Sequence, residues 1–131
     1  MITMSDFLIL HSFGIITTSH YGGWLVGKIV EQFPKPAIGS PDAGRRIGEL
    51  ERILIYIFVV SGQWSAVGFL VTAKSILRFP EIKDTDGKLD ADQTAAYAEY
   101  VIIGTLSSFL VAIAVAQLMT SLVESAWLQS L

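Results

Sequence analysis

The 131-residue sequence contains no cysteine. That excludes disulfides and thiolate metal sites and leaves the redox compartment undefined. Charge is scarce as well, at 16% of residues, against roughly a quarter in an average soluble domain. The formal net charge of −3 gives no electrostatic footing to a nucleic-acid partner, which would meet a basic face. Ahead of the first apolar run the only charged side chain is Asp6. The basic n-region of a secretory signal is therefore missing, and the first segment is expected to be kept as a structural helix.

The same scarcity extends to catalytic motifs. No histidine follows His20, and no G-x-S-x-G elbow, P-loop or dinucleotide fingerprint is present. His11 and His20 are nine residues apart, on opposite faces of one helix, so they cannot share a metal within one chain. The run Asp84-x-Asp86-Gly87 resembles part of a calcium loop. An EF-hand would place its glycine sixth and an acidic residue at position 82, which is Ile82. A solvated acidic loop is the simpler expectation. No internal repeat or long low-complexity tract occurs. These absences lead us to expect no enzymatic activity, no cofactor and no metal.

What the chain has in quantity is apolar residues, 52% of the total, with a mean hydropathy of +0.55. They fall into three segments within one domain, residues 1–131. Segment one, about 7–30, is long enough to span and carries His11, Thr17, Thr18, Ser19 and His20. Pro34, Pro36, Gly39, Pro41 and Gly44 break the chain after it, and Ser40-Pro41 reads as the start of the next helix. Segment two, about 50–79, has an apolar heart bracketed by Arg52 and Lys74, about 33 Å apart along a helix, a close match to the hydrocarbon core. An acidic loop follows, and Asp90 with Gln93 has capping-box spacing for segment three, about 95–122. Beyond it, Trp127 could anchor an interfacial C-terminal helix. The expectation is an all-α integral membrane protein of about three transmembrane helices. Three spans put five Lys or Arg on the side of the first loop and four on the other, a margin that leans only weakly to a cytoplasmic first loop.

Two patterns point to packing and polar sites. Arg45, Glu49, Arg52, Tyr56, Gln63, Lys74 and Arg78 share one sector of segment two. In lipid this face should point at protein or water. Two readings stay open. Either it lines a pathway, or its charged ends simply meet water while Gln63 bonds between helices. Gly104, Ser108, Ala112 and Ala116 form a stripe of small residues on segment three, and Ser19, Gly23 and Gly27 form one on segment one. Such stripes let backbones approach, within a protomer or between protomers. Because segments two and three are consecutive, Glu99 is expected to pair with Lys74 or Arg78.

The motifs Gly44-Arg-Arg-Ile-Gly-Glu-Leu-Glu-Arg-Ile-Leu-Ile55, Gly68-Phe-Leu-Val-Thr-Ala-Lys-Ser-Ile-Leu-Arg-Phe79, Glu81-Ile-Lys-Asp84 and Ala98-Glu-Tyr-Val-Ile-Ile-Gly-Thr-Leu-Ser-Ser-Phe109 are distinctive. Over roughly residues 44–116 the chain resembles the C-terminal half of a bacterial family of integral membrane proteins, domain of unknown function 3307. The resemblance implies a bacterial inner-membrane location and no particular reaction. Its motifs coincide with the charged helix ends around Arg45 to Arg52, Lys74 to Arg78 and Glu99. The functional expectation is a small non-enzymatic membrane subunit that forms a homo-oligomer or joins a larger membrane complex. The alternative is a transport or channel component lined by the polar face of segment two.

Overall fold

The computed structural model describes residues 3–33, 41–84 and 91–129. Every regular element among them is helical. The first is α1, Met4–Ile16. A capping box starts it: the Asp6 N–H donates to Thr3 Oγ1, and the Thr3 N–H donates back to Asp6 Oδ2 at 2.9 Å. Without a break in the chain direction it passes into a π-helical turn, Thr17–Tyr21, and then into α2, Gly22–Val30. Together they make one helical run about 40 Å long. The other helices are α3, Pro41–Val60, α4, Trp64–Asp84, and α5, Ala91–Gln129. Proline opens α3, where its missing N–H costs nothing.

Segment two is thus two helices and not one. α3 ends at Ser61-Gly62-Gln63, where Gly62 has φ +69°. The Gln63 N–H donates to Phe58 O at 2.7 Å and the Gly62 N–H to Val59 O at 3.0 Å. This is the 6→1 and 5→2 pair of a Schellman turn, which uses glycine because only glycine takes a left-handed conformation without a Cβ clash. α4 starts at once, with Gln63 O accepting from the N–H groups of Ala66 and Val67. The chain therefore folds back, and Lys74 on α4 comes beside Glu51 on α3. The expected straight span of 50–79 is corrected to a hairpin. Gln63 is exposed in its turn and does not bond between helices at mid-depth.

Contacts fix the rest of the order. Ser19 meets Glu49, and His11 meets Tyr56, so α3 runs antiparallel to the first helical run. A Cβ on Gly104 would touch Val30, one on Gly22 would touch Val111, and one on Gly14 would touch Met119. Hence α5 is also antiparallel to that run. Near its far end Val123, Trp127 and Leu128 border a groove with Thr3, Met4 and Phe7. The result is an up-and-down arrangement with two distinct ends. Glu31, Pro41, Asp84 and Ala91 lie at one, called here the connector end. Thr3, the Gly62 turn and Gln129 lie at the other. The described helix ends thus place both connectors at one end of the bundle, where three straight segments would put them at opposite ends.

The small-residue stripe of α5 faces inward. Ala112 and Ala116 are fully buried, Ser108 nearly so, and they pack with Ile55, Tyr56, Val59, Val67, Phe109 and Met119. Both readings of that stripe were open in the sequence, and the structure places it within the protomer. Segment three extends well past 122, since α5 continues through Trp127 to Gln129 as one helix. Among the described residues, α5 over Asp92–Gln129 is the one helix long and apolar enough by itself to cross a membrane. The apolar part of α4, Trp64–Leu77, is shorter.

Candidate functional site

The centre of the bundle is polar. Arg52 projects from α3 toward the π-helical turn and is only 5% exposed. Its Nε donates to Thr18 O at 3.2 Å, its Nη2 to Ser19 O at 3.3 Å, and its Nη1 to Ser108 Oγ at 3.2 Å. The turn explains why backbone acceptors are available there. Its closing bond runs from the Gly22 N–H to Thr17 O, a wider spacing than in an α-helix, and such insertions free carbonyls for a second donor. Two glycines make the approach achievable. A Cβ on Gly23 would lie 2.8 Å from Arg52 Nη2, and one on Gly22 would lie 3.3 Å from Arg52 Cδ.

One helical turn toward the connector end, Glu49 accepts from Ser19 Oγ at 2.7 Å. Asp42, Arg45, Arg46 and Glu49 line a polar recess of about 510 Å³ that opens there. One turn toward the other end, buried Tyr56 shares a hydrogen bond of 3.0 Å with His11 Nδ1. Gly14 leaves the space for that phenol, since a Cβ there would fall 2.1 Å from Tyr56 Oη. Phe7 stacks edgewise on His11, with ring centroids 4.3 Å apart. Between the Glu49 and Tyr56 levels lies Thr18, completely buried, whose hydroxyl has no hydrogen-bond partner.

On the other side of α3, Glu51 and Lys74 form an ion pair shielded on both sides. The Lys74 ammonium also lies 5.3 Å from the centroid of the Phe109 ring, within cation–π range. Lys74 is thus neutralised by Glu51, whereas Arg52 is held by the carbonyls of Thr18 and Ser19 and the Ser108 hydroxyl, with Glu49 one helical turn away. Removing one partner of the shielded Glu51–Lys74 pair would strand a charge, at a cost on the order of 3–5 kcal/mol.

The expected pairing of Glu99 with Lys74 is corrected. Lys74 is held by Glu51, and Glu99 is exposed on α5. The hairpin is the cause, since it moves Lys74 deep into the bundle beside α3. The Arg78 side chain, residues 34–40 with Ser40, and residues 85–90 with Asp86 and Asp90, lie outside the described part. Arg45 is exposed at the recess. Gly104 packs against Val30, Ser108 receives Arg52, and Ala112 and Ala116 build the core without a polar role. Sequence reasoning did not single out Glu51, named Thr18 only among the polar residues of segment one, and weighed His11 only as a metal ligand rather than as a partner of Tyr56. The usable signal was the polar run Thr17-Thr18-Ser19-His20 directly ahead of Gly22-Gly23, a combination that costs helix stability and so marks a special site. Among the described residues no group of three metal-ligating side chains gathers. No known protein family, no curated protein and no solved structure matches the chain.

Proposed function

We propose that the chain is a multi-pass protein of the bacterial inner membrane and serves as a non-catalytic subunit of a membrane assembly. The observation that carries this is an inverted distribution of polarity. Large apolar side chains cover the outside: Ile9, Phe13, Phe69, Leu77, Leu110 and Leu118 are each more than half exposed. Arg52, Glu51 and Ser108 are inside. A protein in water would show the reverse over so much of its surface. In lipid the arrangement is the expected one, with ionisable groups turned to the bundle interior and paired there. The α1–α2 run has charges only at Asp6 and Lys28, and its length suits a crossing as well as α5 does.

A subunit role is supported by how fully the interior charged groups are engaged. All three Arg52 donor positions, Glu49, Glu51 and Lys74 have partners within the chain. The apolar exterior remains as the surface for neighbours. The similarity of residues 44–116 to the bacterial membrane family named above is part of the same proposal. Native mass spectrometry in mild detergent tests it. The expected result is a defined multimer or a retained partner, extracted only with detergent. A monodisperse, detergent-free monomer in buffer would overturn it.

A second reading, a transport component, is favoured by one observation. Glu49, Arg52 and Tyr56 form a file on α3 that runs from the connector-end recess to His11. Proton or ion flux in proteoliposomes, abolished by Glu49→Gln, would decide for this reading over the first.

A further inference from the structure

The first helical run leads from the Thr3 end to the connector end. The α3–α4 hairpin leaves the connector end and returns to it, and α5 leads back. Thr3 and Gln129 therefore share one side, and Glu31, Pro41, Asp84 and Ala91 share the other, whatever depth the hairpin reaches. In sequence, all nine lysines and arginines lie between residues 28 and 88. Folding brings the described ones to one half of the bundle. Lys28, Arg45 and Arg46 are exposed around the connector end, and Lys83 belongs to the last turn of α4 there. Arg52 and Lys74 sit deeper, the first hydrogen-bonded to backbone carbonyls and the second ion-paired with Glu51. In the opposite half the described charges are Asp6 and Glu124 alone, both acidic. A straight second segment divides the bases five to four, and the Gly62 turn removes that division.

We infer that the connector end is the cytoplasmic end, with Lys28, Arg45 and Arg46 set against the anionic headgroups of the inner leaflet, and that Thr3 and Gln129 lie on the far side. The inference rests on the membrane reading above. Lysine and arginine near membrane-spanning ends are retained on the cytoplasmic side, and acidic residues hardly oppose this. Headgroups of that leaflet attract each nearby base further. The acidic residues that share the connector end, among them Glu31, Asp42 and Asp92, thus leave the assignment intact.

The absence of cysteine makes the test direct. Single cysteines replace Ser5, Ala43, Leu110 and Gln129, all exposed positions, and a membrane-impermeant maleimide is applied to intact bacterial spheroplasts and then to lysed ones. Ser5→Cys and Gln129→Cys are expected to label in intact spheroplasts, Ala43→Cys only after lysis, and Leu110→Cys in neither. Labelling of Ala43→Cys in intact spheroplasts with the other two protected would overturn the sidedness and keep the membrane reading. Opposite behaviour of Ser5→Cys and Gln129→Cys would overturn the shared side. Rapid labelling of Leu110→Cys after lysis would sink the membrane reading itself.

Discussion

Gly14 occupies a position where even one methyl group meets a phenol oxygen. Gly14→Ala should lower stability by about 1–3 kcal/mol through overpacking, read as a drop in thermal midpoint in detergent. Gly27→Ala is the internal control, since nothing lies within 4 Å of the added Cβ. It should be neutral or slightly stabilising, as alanine is the better helix former. An equal effect of the two changes would refute the close contact at Tyr56. The Glu51–Lys74 pair carries a second prediction. Lys74→Met alone strands Glu51 and should cost roughly 3–5 kcal/mol, whereas Lys74→Met combined with Glu51→Leu should recover most of the loss. A double mutant no more stable than Lys74→Met would show that the two groups do not depend on each other.

Among the elements, the Schellman turn and the α1 cap are the most exposed to a single change. Gly62→Val should strain the left-handed backbone by about 1–2 kcal/mol. It should also weaken the fold-back that brings Lys74 to Glu51, so the Lys74→Met penalty should shrink in its presence. Asp6 lies ahead of the apolar stretch that begins at Phe7, in the first turn of α1. Its carboxyl is held below the usual carboxylate range, first by the Thr3 hydroxyl and then by the Thr3 backbone N–H. A depressed value means the cap contributes fully above the ordinary carboxylate pKa and is lost as pH falls through the depressed one. Amide chemical shifts of the first turn of α1 should therefore change in acid, and Asp6→Asn should remove that transition. On α5, Ala112→Leu should push helices apart at a cost on the order of 1–3 kcal/mol, while Leu110→Ala, 68% exposed, should have little effect.

These elements also mark where sequence reasoning reached and where it stopped. The helical character of all three apolar segments, the start of a helix at Pro41, and the inward face Gly104-Ser108-Ala112-Ala116 follow from periodicity and local propensity, whereas Gly44, read as a breaker, lies inside α3. The fold-back does not. Ser61-Gly62 sits in an apolar run, where hydropathy averages over it and membrane helices tolerate glycine. The spacing of Arg52 and Lys74 also matches one membrane thickness, so a straight helix looked complete. Two arms of a hairpin have that same total length. The π-helical turn was hidden for a related reason. Its wide local bond from Gly22 to Thr17 comes with tertiary ones that spacing does not show, since the carbonyls of Thr18 and Ser19 are taken by an arginine on another helix.

At the scale of the molecule, the gathering of every basic residue into the middle of the chain, and of the described ones into one half of the bundle, has a practical side. Trypsin cuts only after lysine and arginine, so residues 89–131 leave a digest as one long apolar peptide, and so do residues 1–28. Proteomic surveys that rely on trypsin would register the central stretch and miss both flanks. On sealed vesicles the same distribution acts as a one-way probe. Protease added to inverted vesicles should nick the protein at Arg45 or Arg46, and protease added to right-side-out vesicles should leave it whole, as followed by intact mass. Cleavage from the opposite face would contradict the arrangement. Chymotrypsin should behave differently, because Phe7 and Trp127 offer it sites close to the other surface.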